Sequence, residues 1–92
     1  MAKTEAEDLS EIFKALAHPL RVQIVMGLIQ KHECNVSIMV EKLEVPQPTV
    51  SQHLNILKSH RIIEGFRNGN QICYKVTNDQ VRKIFGSLEE EK

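Results

Sequence analysis

Ninety-two residues, 41% hydrophobic and 26% charged, argue against a disordered chain, and one folded domain spanning 1–92 with no room for a second is expected. No apolar run approaches the roughly 20 residues that cross a bilayer, and the opening "MAKTEAEDLSEIFKAL" is acidic instead of signal-like, so a cytoplasmic protein with no membrane partner is expected. The formal net charge of zero argues against nucleic acid only until its distribution is read.

The first predicted helix covers 5–17, where Leu9, Ile12, Phe13 and Leu16 recur at i, i+3, i+4 and i+7. Pro19 resets the chain, and a second helix over 19–31 carries Leu20, Val22, Ile24, Val25, Leu28 and Ile29, a set broad enough for burial on more than one side. "HECNVS" breaks the pattern and has room for a very short strand. Ser37 is the expected cap of a short helix over 38–43, "LEVP" is a turn, and a helix over 47–59 follows.

The period then changes. "RIIEGF" and "QICYKV" are β-type runs separated by "RNGN", in which Asn68-Gly69 is the strongest hairpin signal of the chain. Ile72, Tyr74 and Val76 share one face of the second strand, and Cys73 and Lys75 the other. A last helix begins near Asn78 or Asp79, with Val81, Ile84, Phe85 and Leu88 along one stripe. The expected fold is therefore mainly α with a small β-hairpin wing, in the order α-α-α-α-β-β-α. Two helices joined by a tight turn, followed by a basic hairpin, form a winged helix-turn-helix.

Charge and polarity suit that reading. Residues 46–85 carry Lys58, Arg61, Arg67, Lys75, Arg82 and Lys83 against Glu64 and Asp79, while residues 1–17 and the tail from Glu89 are net acidic. Within 47–59, Val50, Leu54 and Leu57 mark a core face, and Gln47, Thr49, Ser51, Gln52 and Asn55 an uncharged polar face. Amides and hydroxyls donate and accept, so they match base edges in a major groove, where fixed charges would favour phosphates. Pro48 in the first turn loses no intrahelical bond and leaves neighbouring amides free to meet a phosphate.

"ALAHPLRVQIVMGL", "VPQPTVSQHLNILKSHRII" and "RNGNQICYKV" together resemble the ArsR/SmtB family of winged-helix repressors over about residues 9–85. The resemblance implies a homodimer, packed through the first and last helices, that binds a partly palindromic double-stranded operator and releases it to an inducer, often a metal ion. Carried onto matching positions, Gln47, Thr49, Ser51, Gln52 and His53 face the groove, Lys58 and Arg67 meet phosphates, and Asn68, Gly69 and Asn70 form the wing tip. Leu9, Ile12, Phe13 and Leu16, with Val81, Ile84, Phe85 and Leu88, supply the dimer interface. The chain departs from the family where Glu44 replaces a common Gly and Pro46 a common Ser cap; a left-handed Glu44 would cost about 1 kcal/mol.

The family's metal sites do not carry over. Asn35, Val36 and Ser37 stand where one branch has Cys-Val-Cys, and Val81 stands where another has His after the matching Asp79. No metal and no cofactor are expected. Cys34 and Cys73 are the candidates for a thiol sensor, but if the short strand pairs with the wing, face alternation sets their sulfurs on different faces, so two reduced cysteines are expected rather than a disulfide. The chain has no Cys-x-x-Cys, Ser/His/Asp set or phosphate loop and is read as not an enzyme. The alternative function is a winged-helix protein-interaction module without specific DNA binding.

Overall fold

The computed structural model describes residues 4–90. Lys3, Glu91 and Lys92 of the charge tally lie outside the described residues. Five helices and one hairpin follow in the expected order: α1 (Glu5–Leu16), α2 (Pro19–Gln30), α3 (Val36–Leu43), α4 (Gln47–Ser59), β1 (Ile63–Asn68), β2 (Gln71–Val76) and α5 (Asp79–Glu90).

Each helix start has a local cause. Thr4 accepts from the Glu7 amide while the Glu7 carboxylate accepts from the Thr4 amide, a capping box ahead of an acidic first turn. His18 is extended, as a residue before proline must be, and its Nδ1 accepts from the Leu20 amide to cap α2. Asn35, not Ser37, caps α3: its Oδ1 accepts from the Ile38 amide, so the helix begins two residues earlier than the sequence indicates. Asn78 does the same for α5 through the Val81 amide. Pro46 precedes α4 with no side-chain cap, as expected, and Glu44 between α3 and α4 is left-handed at φ 56°, the case in which its replacement of a common Gly carries a cost.

The core forms around α2, which touches each of the other four helices and β2. Val25, Val50, Leu57, Ile62, Ile63 and Val81 are among its most deeply buried side chains. Burying a side chain of this size contributes about 1.5–3 kcal/mol each. This is why α2 carries apolar residues all round, whereas α1 and α5 carry one stripe each. Among the described residues, no single helix is long and apolar enough to cross a membrane.

The two strands pair antiparallel from Ile63↔Val76 to Asn68↔Gln71. Gly69 and Asn70 form the turn, and of these two only Gly69 has positive φ, at 66°. Asn68 closes β1 instead of sharing the turn, because glycine at the first central position is what a type II′ hairpin requires. Gly65 is also fixed by its surroundings: a Cβ there would lie 2.9 Å from Ile72 Cγ2 and 3.1 Å from the Tyr74 ring.

The cysteines depart from expectation. Cys34 and Cys73 form a disulfide, with Cα atoms 4.8 Å apart. Face alternation places sulfurs above or below a sheet, but Cys34 lies beside β2 along its free edge. The Tyr74 amide donates to the Cys34 carbonyl at 2.8 Å, a single ladder-type bond where a short strand was expected. Cys34 lies in no regular strand, so strand alternation does not fix the direction of its side chain, and it meets Cys73 on a shared side of this edge.

Candidate nucleic-acid interface

Helix α4 divides into the two expected faces. Val50 and Leu57 are fully buried and Leu54 nearly so, while Gln47, Pro48, Gln52, Asn55 and Lys58 are exposed and Thr49 and Ser51 half-buried. Gln47, Gln52 and Ser51 thus stand on the outer side of a helix whose opposite side is locked to the core. Hydrogen bonds narrow the phosphate argument. The Thr49 and Val50 amides both donate to the Pro46 carbonyl, and Pro48 has no N–H, so among the described residues only the Gln47 amide of this turn keeps no acceptor within the chain.

His53 is the correction on this helix. It is only 8% exposed and cannot face a groove. Its ring packs on His18, with centroids 4.4 Å apart and planes at 45°, and the Arg21 guanidinium lies 3.3 Å from its Nδ1. A guanidinium only donates, so Nδ1 accepts and the imidazole is neutral. Burial, the neighbouring His18 and Arg21 hold its pKa below the ordinary 6.5, burial being the largest cause. The Arg21 Nε donates to the Ala15 carbonyl at 2.6 Å, so one arginine joins the end of α1, the start of α2 and the underside of α4. The family-like "HPLR" string carries both partners of His53, but its spacing alone does not reveal that Arg21 meets a ring 32 residues downstream.

The wing stands clear of the core beyond its base. Ile63, Tyr74 and Val76 are buried, whereas Arg67, Asn68, Gly69 and Asn70 are all exposed. Phe66 and Ile72 are also exposed, at 45% and 44%, and the Lys75 ammonium lies 5.5 Å from the Phe66 ring centroid. The strand alternation could have flagged Phe66 as an exposed aromatic on the wing, and the sequence reading passed over it. The wing base is held to the α4–β1 turn by the Thr77 amide, which donates to the Ile62 carbonyl, and to α5 by the Arg82 guanidinium, which donates to the Val76 carbonyl.

The terminal-helix stripes separate into two groups. Ile12, Leu16, Val81 and Phe85 are buried within their own domain, so they belong to the core and not to an interface. Phe13 and Leu88 stay 50% and 55% exposed, with Leu9 and Ile84 half-buried beside these stripes. One amphipathic stripe served two purposes, and only packing separates them.

Known proteins share this arrangement. The family described as "Bacterial regulatory protein, arsR family" matches residues 18–64. The chain is 40% identical over 74 residues to the HTH-type transcriptional repressor SmtB of Mycobacterium tuberculosis; the match takes in 80% of this chain and 54%, about half, of that protein. It is 36% identical to an HTH-type transcriptional regulator of Methanocaldococcus jannaschii, over 91% of this chain and 94% of the relative. The crystal structure of the transcriptional repressor PagR of Bacillus anthracis superposes with a TM-score of 0.79 at 38% identity, covering 90% of this chain and 94% of the other. HlyU of Vibrio cholerae superposes at 0.88 with 21% identity, over 98% and 97% of the two chains, a likeness of fold.

Proposed function

Starting from a chain that belongs to the ArsR family of bacterial regulatory proteins, we propose that it is a sequence-specific DNA-binding transcriptional repressor, acting as a homodimer on a palindromic operator in the cytoplasm. The observation that carries this reading is the exposed amide-and-hydroxyl face of α4, backed by Val50, Leu54 and Leu57. Gln47 and Gln52 match adenine edges, with Ser51 and Thr49 beside them at the margin of the helix. Lys58 and Arg67, with the exposed wing tip Asn68–Gly69–Asn70, would meet the phosphate backbone on either side of the groove and fix the register.

Two copies would pack through the apolar surface left over on the terminal helices, Leu9 and Phe13 of α1 with Ile84 and Leu88 of α5. A half-exposed Phe and Leu on such short helices favour cover by a second copy, since a chain of this size buries a limited share of its own surface. Dimerisation would set two α4 helices about 34 Å apart, one turn of duplex.

The test is selection of bound duplexes from a random-sequence pool, followed by affinity measurements across salt. A repressor of this kind enriches an inverted repeat, and its binding to it weakens steeply and linearly in log–log form as salt rises. Recovery of no enriched sequence, with salt-insensitive or absent binding, would instead favour a protein-interaction module. Sedimentation of Phe13→Glu beside the wild type checks the dimer: the variant should be a monomer where the wild type is not.

A further inference from the structure

The Cys34–Cys73 disulfide has no part in the surface described above. Cys34 stands one residue before the Asn35 cap of α3, and Cys73 lies in the middle of β2, so the bond fastens the start of the helix-turn-helix to the wing across 39 residues of sequence. Both cysteines are half-buried, within reach of a small molecule. Beside them opens a cavity of about 330 Å³, inside the size range of small-molecule sites. His32, Lys75 and Arg82 contribute to its wall together with Leu28 and Ile29, and no carboxylate lines it. A protein that works on DNA in the cytoplasm sits among reducing thiols, where a disulfide is more often a transient, sensing bond than a permanent staple.

We propose that Cys34–Cys73 is a thiol-exchange site for an anionic low-molecular-weight thiol, and that opening it releases the wing from the helix-turn-helix and weakens DNA binding. The regulatory half rests on the DNA-binding reading above. In the first step the thiolate RS⁻ attacks one Sγ; the protein S–S bond breaks, its electron pair leaves on the other cysteine as a thiolate, and a mixed disulfide forms. A second RS⁻ attacks the ligand sulfur of that mixed disulfide, RSSR departs, and the remaining cysteine leaves as a thiolate. The protein has gained two electrons, two thiols have become one disulfide, and RSSR reverses both steps. The cationic wall favours the incoming anion and the emerging cysteine thiolate alike. Once the bond is open, the Tyr74 amide and Cys34 carbonyl keep a single hydrogen bond between the two elements. The wing must then be ordered on binding DNA, which lowers affinity.

The full chain is equilibrated in reduced or oxidised glutathione and then alkylated and weighed. Hydrogen exchange at the Tyr74 amide, and affinity for a duplex selected from a random pool, are read in both states. Millimolar reduced glutathione should open the bond and oxidised glutathione reclose it. Tyr74 exchange should rise about tenfold on opening, as expected of a local tether released, and DNA affinity should fall about threefold or more. Cys34→Ser should hold the weaker affinity in both buffers. At equal thiolate concentration mercaptoacetate should open the bond several-fold faster than cysteamine, and Lys75→Gln should narrow that ratio. The proposal is overturned if glutathione leaves the bond closed, if Tyr74 exchanges equally in both states, if both states bind the duplex with the same measurable affinity, or if cysteamine is the faster thiol. Absence of DNA binding in both states counts against the DNA reading, while the alkylation and exchange data still decide the exchange site.

Discussion

Helix α4 and the wing are exposed beside one another in sequence, yet they are held in different ways. Helix α4 is fixed from beneath by three buried aliphatic residues and by His53, which the His18 ring and the Arg21 guanidinium hold from the start of α2. The wing is fixed at its base, through Ile63, Tyr74 and Val76, and along one edge through Cys34. Beyond that point its side chains, Phe66 and Ile72 included, have solvent around them. The difference follows the two tasks proposed. Reading base edges by bidentate hydrogen bonds demands a rigid helix, whereas a basic loop that tracks phosphates tolerates adjustment.

The largest expected effect tests the anchoring of α4. Leu57→Ala removes a fully buried side chain from the centre of the core and should lower stability by about 2–5 kcal/mol, read by thermal or urea unfolding. An equivalent truncation at the wing, Ile72→Ala, should change stability far less, because that side chain is 44% exposed.

Arg21→Met comes next. It leaves the His53 Nδ1 and the Ala15 carbonyl without their donor and should cost about 1–3 kcal/mol of stability. It should also loosen α4 against its base, seen as faster amide exchange in α4 than in the wing. Equal loosening of both regions would show that α4 and the wing are not anchored separately.

On the DNA side, Gln52→Ala should relax discrimination at one base pair by about 1–3 kcal/mol while leaving the salt dependence unchanged. Arg67→Ala should instead weaken binding to all sequences alike and reduce the log–log salt slope by about one. Binding isotherms on operator and scrambled duplexes at several salt concentrations separate the two outcomes.

The smallest effect is the dependence on pH. The pKa of His53 is held below 6.5 in the folded chain, so the unfolded chain takes up that proton more readily. The contribution of the neutral ring is complete above pH 6.5 and is lost as the pH falls from there through the folded-state value. Melting temperatures between pH 7.5 and 5.5 should therefore fall, and more for the wild type than for His53→Gln, which has no titrating group at that position.

How far residues can be read in sequence depends on how local their determinants are. The bounds of α4, the existence of the hairpin and the weak Pro46 cap are legible, because each follows from backbone chemistry within a few residues. His53 was misplaced for the opposite reason. Its position in the polar run suggested the groove, but its partners His18 and Arg21 lie on another helix. The stripes on α1 and α5 were recognised correctly as apolar, yet periodicity cannot say which apolar residues a domain keeps for itself. Ile12, Leu16, Val81 and Phe85 went to the core, and Phe13 and Leu88 did not.

By itself, then, the order of residues determined the kinds of element, their succession and the polarity of the α4 surface, since hydrophobic period, proline and glycine act through near neighbours. Only the tertiary structure decided that Cys34 meets Cys73, that an imidazole sits beneath α4, and how each terminal stripe is divided. Those outcomes depend on which surfaces come to lie side by side once the chain closes on α2, and no local periodicity encodes such lateral neighbours.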